Sequence, residues 1–398
     1  MGWLIVAVLW WQSLGWPQVG GDALIDQATT KPIFGEQVLF QAHLRLATPP
    51  QEVLLLIAPE GQPPLTVALT PTPDGQLTYT WELVGRRLTP FAHVVYWFQA
   101  KLASGEVVES SRYQFVYADD RFTWQSLEEP GIQVGWVEGD LAFGQAALQA
   151  AQNGLKSAQS LLDVELPSPL QVYIYPDIQS LQSALNLSGT PWLAGHASPE
   201  TGIVLVAVSP GPDQVAEMER QIPHEIAHLL QYRLMGEAYG QLPLWLAEGM
   251  ASLAELYPNP DYQRALDRAV QEDHLLAMPS LCRSFPRESA AAFLAYAQSA
   301  SFVRYLQARF GRSGLTALVR TYQDGLGCEE GVQAGLGLSL SQLEREWLED
   351  SLGVNPWRRA WRHLWPYVVL GALVMLPVLF SLRGSYPRHS HLPQKEEP

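Results

Sequence analysis

The chemistry of this chain concentrates in the pentapeptide His224-Glu225-Ile226-Ala227-His228. Residues four apart share one face of a helix, so the two imidazoles can converge on a single ion while Glu225 projects beside them as a general base. Past His228 the helix is expected to continue to about Met235. Gly236–Gln241 then reads as a turn, and Leu242-Pro243 opens a second helix that carries Trp245-Leu246-Ala247-Glu248-Gly249. Such a helix–loop–helix hairpin folds Glu248 back toward the histidines. The resulting His₂Glu set leaves one coordination position for water, which is the pattern of a catalytic site; an all-protein structural site takes four ligands. Pro223 stands immediately before His224, and proline removes a helix hydrogen bond, so the metal helix either starts near it or bends there.

The elements that must position these residues fall into two groups. From about Glu36 to Tyr117, short apolar strands alternate with Pro- and Gly-containing turns, which predicts an all-β sandwich of immunoglobulin or fibronectin type. Beyond Arg121 the period changes. A hairpin is expected around Glu128–Gly131, a long helix from Asp140 to Leu162, a strand at Leu170–Tyr175, a short helix capped by Asp177, and a strand at Ile203–Val208. Helical periodicity then dominates, at about 213–235, 243–256, 261–275, 289–310, 313–323 and 339–351. Strands first and helices later make an α+β domain.

His-Glu-x-x-His followed by Trp-Leu-x-Glu-Gly, with nineteen residues between His228 and Glu248, resembles the gluzincin metallopeptidases. The resemblance is specifically to the peptidase MA-like domain proteins, relatives of the aminopeptidase N type, and spans about residues 120–352. It implies a thermolysin-like fold, a peptide or protein substrate, and one Zn2+ per chain held by His224, His228 and Glu248, with Glu225 as general base. Tyr296-Ala297-Gln298-Ser299-Ala300 is similar to the Tyr-x-Lys-Gly-Ala segment that supplies a transition-state tyrosine in aminopeptidase-N-type enzymes, with Gln298 and Ser299 in place of Lys and Gly. Glu255 lies seven residues after Glu248 on the same helix face and could orient a ligand histidine; the alternative is a solvated surface carboxylate. The Gly-x-Met-Glu-Asn segment that holds a substrate amine in those relatives does not occur here, which favours an endopeptidase over an aminopeptidase. Only Ser198-Pro199-Glu200-Thr201 precedes Ile203–Val208, the strand expected at the sheet edge to pair with extended substrate. His196 is expected in a surface loop and His274 at a solvated helix end. A different class of function, a catalytically silent gluzincin-like cell-surface protein that binds peptides or acts as a scaffold, is disfavoured by the intact Glu225.

The chain has 398 residues, 47% of them apolar and 16% charged, enough for packed cores. Residues 22–355 carry a net −19 and residues 356–398 a net +4; an acidic body repels phosphate backbones, so no nucleic acid is expected as partner. Residues 1–21 are uncharged and include the apolar run Trp3–Trp11, the length of a signal-peptide core. Leu364–Leu382 runs for 19 residues without a charge between arginine-bearing flanks, which predicts a transmembrane helix. The expected organisation is a signal peptide (1–23), a β-sandwich (24–119), the peptidase domain (120–353), a basic juxtamembrane linker (354–363), the membrane helix (364–382) and a short tail (383–398). This makes a single-pass membrane protein with its catalytic domain extracytoplasmic. In that compartment Cys282 and Cys328 can form one disulfide; in a reducing one they remain thiols. Asn186-Leu187-Ser188 matches a glycosylation sequon.

Overall fold

A computed structural model describes residues 24–354 except 47, 84, 86, 87, 163, 167, 168 and 186–194, together with 364–371 and 373. The expected signal segment, the sequon at Asn186 and most of the expected span Leu364–Leu382 lie outside the described residues.

The N-terminal region is β throughout: β1 (Ile25–Ile33), β2 (Gln37–Leu44), β3 (Glu52–Pro59), β4 (Leu65–Leu69), β5 (Gln76–Glu82), β6 (His93–Lys101), β7 (Val107–Glu109) and β8 (Tyr113–Val116). One antiparallel sheet has the order β1-β2-β5; the other has the order β4-β3-β6-β7, with β8 also on β6. Side chains alternate across a strand, and the sequence obeys this period. β2 buries Val38, Phe40, Ala42 and Leu44, while β6 buries Val94, Tyr96, Phe98 and Ala100. The two sheets share one core, in which Phe40 meets Tyr96 edge to face at 5.1 Å. β1 was not anticipated, because IDQATTKPI leaves Asp26, Gln27, Thr29 and Lys31 exposed and shows little apolar alternation.

A mixed layer follows: β9 (Gln125–Glu129), β10 (Ile132–Trp136), α1 (Leu141–Leu161), β11 (Leu170–Tyr175), α2 (Ile178–Ala184), β12 (Gly195–Ser198) and β13 (Ile203–Ala207). Its sheet order is β12-β13-β11-β10-β9, with β10, β11 and β13 parallel and the outer strands antiparallel. Every residue of β11 and of β13 is buried, the signature of strands covered on both faces. Tyr173 of β11 stacks on Phe91 of the N-terminal region, centroids 3.5 Å apart. The strand at Ile203–Val208 is therefore not the sheet edge. β13 is paired on both sides; among the described residues the sheet's edges are β9 and β12, and β12 is the one that contacts the metal helix.

The remainder is helical: α3 (Gln214–Met235), a 3-10 turn at Gly236–Gln241, α4 (Leu244–Ala254), α5 (Asp261–Glu272), α6 (Ser289–Thr321), α7 (Cys328–Leu336) and α8 (Leu340–Asp350). The helices expected at 289–310 and 313–323 run as one element broken at Gly311, whose φ of 68° departs from helical geometry. α7 was not expected. The chain divides into two compact units, one of residues up to Tyr239 with Met250–Asn259, the other of Gly240–Gly249 with residues from Pro260 on. Within the second, Phe302 of α6 packs against Trp245 and Trp347 at 5.1 and 5.5 Å, and Cys282 is disulfide-bonded to Cys328. Residues 364–371 are helical. Among the described residues, no helix is long and apolar enough to cross a membrane.

Candidate metal centre

α3 begins at Gln214 and runs through Pro223, so His224, Glu225 and His228 all ride on one helix. Their i, i+4 spacing brings the imidazoles of His224 and His228 together, ring centroids 5.1 Å apart. α4 is a single helix and carries Glu248. The ligand atoms of His224, His228 and Glu248 lie within 4.8 Å of one another. Other groups fix which imidazole nitrogens are available. His224 Nδ1–H donates to Glu255 Oε1 at 3.0 Å, and Glu255 is only 8% exposed, so it is a buried partner rather than a surface carboxylate. The Nδ1–H of His228 is shared between Gln231 Oε1 at 3.3 Å and the Tyr239 hydroxyl oxygen at 3.2 Å. With both Nδ1 atoms engaged, each Nε2 keeps a lone pair for an ion, the arrangement found behind metal-ligating histidines. Two neutral imidazoles and a carboxylate form a donor set that fits zinc.

Gln231 and Tyr239 were not picked out from the sequence. Gln231, one helical turn after His228, could have been found from its spacing. Tyr239 gave no local signal, because the 3-10 turn alone brings it back to α3, where its ring also meets Tyr232 at 5.7 Å.

Glu225 is 9% exposed and lies between α3 and the edge strand. Gly195 of β12 sits directly on its carboxylate, so that a Cβ at this position would run into the Glu225 side chain. His196 follows on the same strand and not in a surface loop. Burial, with a smaller effect from His228, holds its pKa below the ordinary imidazole value. Glu200 stands at the β12–β13 turn against Gly61, where a Cβ would approach Glu200 Cβ to 2.7 Å. His274 is at the exposed end of α5, 3.5 Å from Glu272.

Tyr296 is placed by α6. Gly249, next to Glu248, lets α4 approach α6 so closely that a Cβ there would collide with Val303 and the Ser299 carbonyl. Tyr296, Ser299 and Val303 share one face by their i, i+3, i+7 spacing, so Tyr296 is on the α6 face that meets the Glu248 helix. Its ring stands edge-on to Phe285 at 5.0 Å. The two residues that depart from the family segment have local partners. Ser299 Oγ donates to the Ala295 carbonyl at 2.7 Å, and Gln298 bonds the amide and carbonyl of Leu276, both at 2.8 Å.

Residues 150–352 match the model of the peptidase MA superfamily. The chain belongs to that superfamily. Family and donor set together make it a zinc metallopeptidase. No curated protein matches it. Among solved structures, the chain is similar to an M1 zinc metallopeptidase from Deinococcus radiodurans, at 14% identity over 80% of this chain and 91% of that one, with a TM-score of 0.38. It is also similar to an aminopeptidase N family protein from Idiomarina loihiensis, at 10% identity over 81% and 73%, with a TM-score of 0.32.

Proposed function

We propose that this peptidase is a membrane-anchored, extracytoplasmic endopeptidase in which Glu225 moves the proton and β12 receives the substrate. The observation that carries this reading is the Glu225 carboxylate, held at 9% exposure against Gly195 of the edge strand and next in sequence to a histidine of the His-His-Glu cluster. When bound at His224, His228 and Glu248, zinc supplies Lewis acidity toward water and the scissile carbonyl. The chain's own groups do the rest. Glu225 accepts a proton from the attacking water and delivers it to the departing amine. Tyr296 donates a hydrogen bond to the developing oxyanion. Glu255, Gln231 and Tyr239 keep the imidazoles aimed.

An extended peptide adds to β12 by main-chain pairing, because β13 behind it is already paired on both sides. Endopeptidase action is favoured because the segment beside β12 offers one carboxylate, Glu200, and that side chain is packed against Gly61. Support for the anchor comes from residues 364–371, a helix that exposes Leu364, Trp365, Tyr367, Val368 and Leu370 around its circumference.

The test is cleavage of a mixed peptide library by the full-length chain in detergent, wild type against Glu225→Gln. Removing a general base should slow cleavage by roughly 10²–10⁴-fold while zinc stays bound. Products should arise from internal bonds. Equal cleavage by the two proteins would refute the assignment of Glu225, and stepwise release of N-terminal residues would refute the endopeptidase reading.

A further inference from the structure

Pro223 sits inside α3, one residue before a metal ligand, and a proline there has a defined cost: it has no N–H to give the carbonyl four residues back. That carbonyl belongs to Glu219. In a regular helix it would point along the axis at its i+4 donor; without that donor it is free to tilt toward a group beside the helix. Another segment takes it. The Leu256 amide donates to Glu219 O at 2.9 Å, and the Tyr257 amide reaches the same oxygen at 3.4 Å.

Leu256 follows directly on Glu255, whose carboxylate accepts from His224 Nδ1 at 3.0 Å. The chain leaving α4 is thus fastened to α3 at two points, Glu219 before Pro223 and His224 after it. We infer that Pro223 is a positioning residue of the metal centre: by leaving the Glu219 carbonyl to Leu256, it holds Glu255 against His224. The inference rests on the reading of His224, His228 and Glu248 as the metal site. It acts through backbone geometry, and so differs from the packing role that Pro223 also has, its ring lying where a Cβ on Gly154 of α1 would come within 2.8 Å of Cγ.

The two roles can be separated with the full-length protein. Pro223→Ala restores the N–H and removes bulk; Pro223→Val restores the N–H and keeps bulk against Gly154. Zinc affinity is measured by competition with a chromogenic chelator, ligand geometry by the visible spectrum of the cobalt(II) form, and the Glu219–Leu256 bond by amide exchange of the peptide covering 255–258. Both variants should bind zinc about tenfold more weakly, as expected for loss of a histidine's orienting partner. Their cobalt bands should shift and the Leu256 amide should lose protection, while the melting point of metal-free Pro223→Val, which keeps the bulk against Gly154, does not fall, since valine suits a helix interior better than proline. Wild-type affinity and retained Leu256 protection in both variants would overturn the inference. So would a defect in Pro223→Ala that Pro223→Val does not share, which would mark packing as the cause. A wild-type protein that binds no zinc, or whose binding survives His228→Ala, would overturn the metal reading beneath it.

Discussion

Glu225 can serve as a base only while its carboxylate is held in one place, and what holds it is partly the absence of a side chain at Gly195. A methyl group there meets the far end of the Glu225 side chain rather than backbone, so Gly195→Ala should displace the base without unfolding the sheet. Misplacing a reacting group by about 1 Å can cost on the order of 10²-fold in rate. We therefore expect kcat of Gly195→Ala to fall by up to about that factor with zinc affinity unchanged; steady-state kinetics beside a zinc titration checks it, and an undiminished kcat would remove Gly195 from the account. His228 makes a complementary case. Its Nδ1–H is shared by two neutral acceptors, Gln231 and Tyr239, whereas His224 faces the carboxylate of Glu255. Tyr239→Phe keeps the ring on Tyr232 and deletes one acceptor, so zinc should bind about tenfold more weakly, read by chelator competition. Equal affinities would show that Gln231 alone suffices.

At the scale of elements, α4 carries Glu248 and is braced at its first turn. The Leu244 amide donates to the Cys282 carbonyl at 2.8 Å, and the indole N–H of Trp245 reaches Cys328 Sγ at 3.4 Å, so both disulfide partners touch the turn preceding the third ligand. A bridge over 46 residues typically contributes about 2–4 kcal/mol. Replacing both cysteines by serine should lower stability by that order in denaturant melts and speed zinc loss to a chelator. Stability lost with no change in zinc release would confine the disulfide to folding. The helical hairpin that presents the metal ligands was legible in the sequence because its signals are local: i, i+4 histidines, a polar turn, then Trp-Leu-x-Glu-Gly. β12 was not, since Gly195-His196-Ala197-Ser198 has no large apolar side chain to alternate. The reverse error concerned IVLVA in β13. Uniform burial there marks an interior strand, which the unbroken apolar run itself implied. α7 was hidden by its glycines, although Gly331 is needed for the Tyr322 ring to lie against it. Pro223 signalled a break but stays helical, because the carbonyl it releases is taken by Leu256, far away in sequence.

For the whole molecule, the distribution of charge narrows how it can meet a membrane. Residues 22–355 carry −19 and would be repelled by anionic headgroups, so adsorption of the body is a poor means of attachment. Residues 356–398 carry +4 and include the uncharged run Leu364–Leu382. In its described part, Leu364 is 55% exposed, Trp365 50%, Tyr367 71% and Leu370 60%, so the helix is apolar on more than one side. On the proposed anchor, burying these side chains in hydrocarbon would contribute about 25 cal/mol per Å² of apolar surface. Attachment through the hydrocarbon interior predicts insensitivity to charge screening, whereas attachment through surface charge fails at high salt. The full-length protein should therefore stay with membranes through washes of high salt and of carbonate, and leave only with detergent. Deleting residues 364–382 should release it with unchanged kcat/KM on a soluble peptide, because His224, Glu225, His228 and Glu248 all lie on α3 and α4. Release of the intact chain by salt alone would instead place the attachment in the basic residues flanking the run Leu364–Leu382.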